Sequence, residues 1–188
     1  MDELFSSLVE AIKSKFPDQF AAVRLPLKTA TKEQLNSLRQ KLPSVNDELC
    51  DFLKLSNDGT KKLPMFEFFG ADEIAERKVT LDEFIQDYHD SYPDSPMNDS
   101  TNGYCKDEGP VVWIPFAMLG GGAELMVVDM SPGPKGTVGQ VMIVFDDFHT
   151  SVQGTSIREW LIRMNEVADN ATPDDEIDLF LDCISKTA

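Results

Sequence analysis

The sequence predicts an α+β domain in which a central, mostly antiparallel sheet is packed by N- and C-terminal helices. Three observations lead to this fold class. Apolar residues recur at helical spacing near both ends of the chain, three continuous apolar runs lie in its middle, and links rich in Gly and Pro join those runs. This order differs from the alternation of strands and helices in a dinucleotide-binding fold, which it disfavours.

The first two helices are predicted from apolar spacing and capping residues. Apolar side chains spaced along residues 4–16 indicate an amphipathic helix, which we expect Pro17 to end. Thr31 and Gln34 have the form of a capping box, in which the two side chains bond each other's backbone N–H groups. They predict a second helix that continues as far as Pro43.

A third helix and a short strand are predicted next. Ser44 is expected to cap the helix, with Asp47 at its third position and the sequence 57–59, Asn-Asp-Gly, as a left-handed stop. Phe66 and Phe68 then alternate with a charged residue, which is the period of a half-buried strand.

Thr80 and Glu83 form a second capping box and predict a short fourth helix. The chain then becomes polar and loses apolar periodicity over residues 91–110. Long loops in compact domains are often functional, so this acidic loop is a candidate binding segment.

Three apolar runs near residues 111–117, 124–130 and 140–145 predict an antiparallel meander, because short turn-rich links separate them. Ser156 and Glu159 then predict a capped helix, and Thr172 opens a final acidic one.

The chain length fits one domain spanning residues 1–188, because domains usually hold roughly 100–200 residues. The first residues are acidic and no apolar run is long enough to cross a bilayer, so we expect neither a signal peptide nor a membrane span. Three cysteines leave one unpaired in any disulfide scheme, which favours a reducing, cytoplasmic location.

The net charge of −16 is distributed unevenly. Residues 1–71 carry 10 acidic and 10 basic side chains, residues 72–109 carry 11 and 3, and residues 110–188 carry 12 and 4. Such a surface repels phosphate backbones and anionic lipid and attracts basic proteins. We therefore expect a basic protein partner rather than nucleic acid or membrane, although acidity also serves solubility alone.

The sequence contains few candidate residues for catalysis or for binding a metal ion or phosphate. Cys105 paired with His149 is a conceivable nucleophile, but a loop cysteine and a surface histidine are the simpler interpretation. Asp146 and Asp147 beside His149 are a weak candidate for a cation, against a solvated strand end. Neither glycine-rich link has the pattern of a phosphate-binding loop. We expect no metal, no cofactor and no enzymatic activity.

Five short motifs nevertheless follow one another in a specific order. They are Leu42-Pro43, Asn57-Asp58-Gly59, Trp113-Ile114-Pro115-Phe116-Ala117, Asp129-Met130-Ser131-Pro132 continuing to Gly139-Gln140-Val141, and Ser156 to Trp160-Leu161. Together they resemble the Smi/Knr family of the SUKH superfamily over residues 31–164. Three features depart from the family pattern: Asp58 interrupts its Asn-Gly pair, the acidic loop at 91–110 resembles an insertion, and the chain extends beyond the match at both ends.

The resemblance implies a mixed sheet packed by helices and a role in binding proteins. Bacterial members of that family resemble immunity proteins that neutralise polymorphic toxins, including nucleases, whereas fungal members regulate cell-wall synthesis. An immunity protein is therefore the first expectation and a regulatory scaffold the second. A hydrolase acting on a small or glycan substrate is a remote third. We expect a monomer or weak dimer.

Two residues of the motifs have alternative interpretations. We expect Trp113 to lie in the core or to line a cleft, and this interpretation is favoured over a role as an anchor for a partner. Asp129 either caps the turn that follows it or is a recognition carboxylate, and turn capping is favoured. The residues predicted to contact a partner are Asp94, Asp99, Asp107, Glu108, Trp113, Asp129, Asp146 and Asp147.

Overall fold

The structure is a computed structural model that describes residues 1–20, 28–57, 62–63, 66–92, 103–106, 109–119, 124–145 and 149–171. Its helices are α1 (Asp2–Lys15), α2 (Pro17–Phe20), α3 (Lys32–Lys41), α4 (Asp47–Leu53), α5 (Ala71–Ser91) and α6 (Ile157–Asn170). Its strands are β1 (Lys62–Leu63), β2 (Phe66–Phe68), β3 (Trp113–Leu119), β4 (Glu124–Asp129), β5 (Gln140–Val144) and β6 (Thr150–Gly154). The predicted α+β class is confirmed.

The strands form one sheet in the order β1 to β6, and every neighbouring pair is antiparallel. This confirms the predicted meander of β3, β4 and β5. The sequence did not predict β6, because Thr150, Ser151 and Gln153 are polar. These side chains are nevertheless buried, and Gln153 Nε2 donates to Ser151 Oγ at 2.8 Å. Hydrogen bonds thus allow polar side chains to be buried in this strand, and apolar periodicity does not predict such a strand.

Side chains alternate between the two faces of the sheet, as the two-residue period of a strand requires. Along β4, Met126 and Val128 join a large hydrophobic cluster with α1, α3, α4 and α6, whereas Val127 joins a smaller one. In the large cluster Phe52 lies at the centre of an aromatic group. Its ring centroid is 5.2–6.1 Å from those of Phe5, Phe68, Phe116 and Trp160, in edge-to-face geometry.

The predictions for α1, α3 and α6 are confirmed. The capping box of α3 is present, because Gln34 N donates to Thr31 Oγ1 at 3.2 Å and Thr31 N donates to Gln34 Oε1 at 2.9 Å. Glu159 N likewise donates to Ser156 Oγ at 3.1 Å. Pro17 follows α1 as expected, but it also begins α2, since proline suits the first position of a helix.

The predicted ends of α4 were wrong. Its cap is Asn46 rather than Ser44, and Asn46 Oδ1 accepts a hydrogen bond from Leu49 N at 2.8 Å. The helix ends at Leu53, and the residue after it remains in the right-handed helical region. Asn57 therefore does not stop α4, and Gly59 lies outside the described residues.

The short helix predicted from Thr80 was also wrong, because α5 begins nine residues earlier and runs for 21 residues. Its N-terminus is capped at Gly70, whose N–H donates to the Glu73 carboxylate at 2.9 Å. Thr80 lies in the helix interior, where its hydroxyl donates to the Glu76 carbonyl at 3.3 Å. A capping-box pattern is thus not specific when strong helix formers precede it. The final helix predicted from Thr172 lies outside the described residues.

Among the described helices, none combines the length and the apolar character needed to cross a bilayer.

Replacing Phe52 by alanine is expected to destabilise the protein by about 3–5 kcal/mol, because four aromatic neighbours lose an edge-to-face partner and a cavity remains. Denaturant unfolding measures this free energy. Ile162→Ala, at a side chain that is 41% exposed, is the control and should change it by about 0.5 kcal/mol or less. A similar small change for both variants would contradict the assignment of this aromatic group as the centre of the core.

Candidate functional site

The turn between β4 and β5, residues 129–140, is organised around the carboxylate of Asp129, and we call it the motif turn. Asp129 is fully buried. Its Oδ1 accepts a hydrogen bond from Ser131 N at 2.9 Å, and its Oδ2 accepts one from Gln140 Nε2 at 3.0 Å. Gly139 N donates to the Asp129 carbonyl at 2.7 Å with φ +92°, a conformation that glycine adopts readily. Asp129 therefore caps the turn.

Burial raises the pKa of the Asp129 carboxyl above its ordinary value. Removing a carboxylate from water disfavours its charged form, and this effect outweighs the opposing hydrogen bonds from Ser131 and Gln140. No lysine or arginine among the described residues forms an ion pair with Asp129.

Gln140 connects the motif turn to residues 103–106 of the acidic loop. Its Nε2 also donates to the Tyr104 carbonyl at 2.9 Å, while its Oε1 accepts from Thr137 N at 3.1 Å. These partners fix the orientation of the side-chain amide. Gly133 N donates to the same Tyr104 carbonyl at 2.9 Å. The segment 103–106 is therefore held against the motif turn by main-chain and side-chain hydrogen bonds.

Two glycines allow this close approach. A Cβ atom at Gly133 would lie 2.3 Å from the Cys105 carbonyl oxygen, and one at Gly136 would lie 2.3 Å from the Tyr104 carbonyl oxygen. Both distances are too short for any side chain to occupy. The glycine-rich sequence of the motif turn thus reflects contact with another segment of the same chain.

Segment 103–106 and the second half of α5 cover the second face of the sheet. Trp113, which pairs with Asp129 across β3 and β4, packs there with Leu81, Ile85 and Cys105. Trp113 is fully buried. Pro115 is also buried, at an irregularity in the pairing of β3 with β4.

Asn57, from the second motif, orients the start of α5. Its Oδ1 accepts a hydrogen bond from Ala71 N at 2.5 Å, and its main-chain N–H donates to the Lys28 carbonyl at 2.8 Å. Leu42 packs against the large cluster next to the exposed Pro43, and Trp160 lies in the aromatic group. Pro132 is half-buried in the motif turn.

The outer surface of α5 carries an acidic stripe, which none of the sequence motifs contains. Its members, all exposed, are Asp72, Glu76, Glu83, Asp87 and Asp90. Their spacings of 4, 7, 4 and 3 residues place them on one side of the helix. From Asp72 to Asp90 the stripe extends about 27 Å at a rise of 1.5 Å per residue. None of the five forms an ion pair among the described residues.

A groove of about 540 Å³ runs along a neighbouring side of α5, where its lining residue Gln86 donates to Asp90 of the stripe at 2.9 Å. One wall is formed by Lys78, Asp82, Ile85, Gln86 and His89 of α5, and the other by residues 109–111. Lys78 is 8% exposed and its ammonium bonds the Asp82 carboxylate. The groove therefore has an apolar floor at Ile85 and a polar rim.

Of the eight residues predicted to contact a partner, the structure describes two, Trp113 and Asp129. Trp113 and Asp129 are fully buried, so neither presents its side chain on the described surface. The other six (Asp94, Asp99, Asp107, Glu108, Asp146 and Asp147) lie outside the described residues. Their role in binding stays a prediction. The stripe of α5 was missed, although its spacing is visible in the sequence, because the helix was expected to begin only at Thr80.

The described part of the chain contains few side chains that could act as a nucleophile or bind a metal ion. Cys105 is fully buried. Its sulfur lies 2.9 Å from the sulfur of Met142 and 3.6 Å from the hydroxyl oxygen of Thr150. Across the described ranges, no group of three or more His, Cys, Asp or Glu side chains is placed to hold a metal ion.

Comparison with known proteins gives one family. The model of the SMI1 / KNR4 family (SUKH-1) matches residues 29–163, which include every motif named above and the whole of α5. No curated protein matches the chain.

Asp129→Asn is expected to reveal the raised pKa of Asp129. A carboxyl whose pKa is higher in the folded than in the unfolded chain favours folding most at low pH, and this contribution falls as the pH rises from about 3.9 through the folded pKa. The free energy of unfolding of the wild type minus that of the variant should therefore decrease over this range and then become constant. Urea unfolding of both proteins at a series of pH values measures this difference. The contributions of the other carboxyls cancel, because both proteins contain them. A difference that grows with pH would contradict a raised pKa.

Gly136→Ala is expected to displace segment 103–106, because the added Cβ has no space beside the Tyr104 carbonyl. Cys105 should then react at least about tenfold faster with a thiol reagent, since local opening governs access to a buried group. Peptide mass spectrometry follows modification of Cys105 specifically. Val138→Ala, at an exposed side chain of the same turn, should leave the rate unchanged. Equal rates for both variants would show that the motif turn does not hold this segment.

Proposed function

The chain belongs to the SMI1 / KNR4 family (SUKH-1), and from this premise we propose that it is a non-enzymatic protein-binding module. In its most concrete form the proposal is an immunity protein that neutralises a polymorphic toxin by direct binding. The family match carries the proposal, because it spans the sheet, the motif turn and α5 together.

The distribution of charge supports a basic partner. The acidic excess lies entirely beyond residue 71, and α5 alone carries seven acidic and two basic side chains. A field of one sign accelerates association with an oppositely charged protein and rejects like-charged ones. A basic nuclease toxin has the complementary charge, whereas the phosphate backbone of its nucleic acid substrate would be repelled.

The placement of the motif residues also supports a binding role. Asp129 and Gln140, which could otherwise suggest chemistry, are buried and bonded to the turn that they organise. Trp113 is enclosed in the second cluster. The motifs thus maintain the architecture and leave the exposed side chains of α5 to determine which partner binds.

Affinity capture from native lysate with the full chain is expected to recover a basic protein at low salt and to release it at high salt. Salt screens exposed charges, and the screening length falls from about 10 Å at 0.1 M to about 3 Å at 1 M. High salt should therefore weaken an interaction between exposed charges. An unrelated acidic protein of similar net charge is the control bait. If the control recovers the same proteins, or if the chain recovers no basic protein, the proposal fails.

Expression of the captured protein separates the two roles known for the family. A toxin should arrest growth when expressed alone, and co-expression with this chain should restore growth. An endogenous partner that is neutral and harmless would contradict the immunity role and support the regulatory scaffold instead.

A further inference from the structure

The groove beside α5 has an apolar floor, and Gln86 on its rim bonds Asp90 of the neighbouring acidic stripe. Ile85 is 7% exposed at its floor, and Pro110 and Val111 face it from the opposite wall. Its volume of about 540 Å³ lies within the range of roughly 300–1,000 Å³ that is usual for ligand sites. A surface of this kind is suited to an inserted side chain rather than to flat contact.

We propose that this groove binds a cationic segment of a partner protein, with one large apolar side chain on Ile85 and its Lys or Arg side chains along the acidic stripe. The proposal rests on the proposed function and specifies the surface and the chemistry of the partner. It assigns to α5 the contacts that the sequence prediction had assigned to the loop at 91–110.

The apolar contact anchors the segment, and the charges add to its affinity. Binding sites commonly depend on one buried anchor that is surrounded by polar groups, which exclude water around it. Here Ile85, Pro110 and Val111 provide the anchor site, and Gln86 and His89 form part of its rim.

The charges determine the direction in which the segment lies. Lys78 places a cation at the end of the groove nearer the N-terminus of α5, where it is paired with Asp82. Glu83, Asp87 and Asp90 lie nearer the C-terminus, whose helix dipole adds partial negative charge. The cations of the partner are therefore expected next to the last two turns of α5, away from Lys78.

Ile85 and Val111, one from each wall of the groove, pack in the smaller hydrophobic cluster, so both walls are formed before binding. Asn57 and Glu73 hold the start of α5, and Lys106 Nζ donates to the Pro110 carbonyl at 3.1 Å on the opposite wall. A site that is already formed requires little ordering when its partner binds, which favours affinity.

Selection from a displayed library of random peptides, with the full chain as the target, tests the proposal. The enriched peptides are expected to contain Lys or Arg around one large apolar residue. Their affinity, measured by fluorescence anisotropy, should fall at least about tenfold in the variant Glu83→Gln/Asp87→Asn/Asp90→Asn, which removes the three charges of the stripe nearest the C-terminus of α5. Gln86→Trp should reduce it similarly by filling the groove.

The matched control is Glu3→Gln/Asp18→Asn/Asp169→Asn, which removes the same number of exposed carboxylates from α1, α2 and α6. It should retain the affinity of the wild type. Enrichment of neutral or acidic peptides, no enrichment, or equal losses in both triple variants would overturn the proposal.

Binding of the captured partner distinguishes a wrong groove assignment from a wrong proposed function. If the partner binds wild type and the α5 variant equally, the groove assignment is wrong and the protein-binding function stands. If no protein binds the wild type, the proposed function fails first.

Discussion

The carboxylate of Asp129 imposes the constraint on which much of this structure depends. A carboxylate inside a protein must be bonded to donors, because burial without them is very unfavourable. Asp129 obtains them from Ser131 and from Gln140, and Gln140 in turn bonds the Tyr104 carbonyl. One buried acid thus determines the path of the motif turn and attaches a distant segment to it.

The same arrangement explains how the second face of the sheet is covered. Among the described residues, the first face receives side chains from all six helices, including the aromatic group, whereas the second is covered by the second half of α5 and the segment 103–106. Asn57 fixes where α5 begins, and the motif turn fixes segment 103–106 beside it. Ser131 of the motif turn also accepts a hydrogen bond from Val112 N at 2.6 Å, directly after the groove wall at residues 109–111. The architecture is held by buried motif residues, and the contacts proposed for a partner belong to exposed residues of α5.

The sequence predicted the parts of the fold that depend on apolar pattern. The three central strands are continuous apolar runs, α1, α3 and α6 have regular apolar stripes, and the caps predicted for α3 and α6 are present. It did not predict β6, in which the polar side chains of Gln153 and Ser151 are buried and bond each other. It placed the start of α5 at Thr80, because a local pattern cannot show that Asn57 caps the helix from 14 residues away. A helix that begins at Thr80 also leaves out Asp72 and Glu76, two of the five residues of the acidic stripe, so the full length of the stripe was not recognised.

Hydrogen–deuterium exchange of the full chain, with and without its captured partner, tests the central claim most directly. Backbone amides in stable helices exchange slowly through local opening, and a bound partner slows this further wherever it lies. If the chain is a protein-binding module that uses the acidic side of α5, protection should increase along residues 78–92 and 109–111. Amides of α1 and α6 should be unchanged. Protection confined to α1 and α6, with none along α5, would contradict the account.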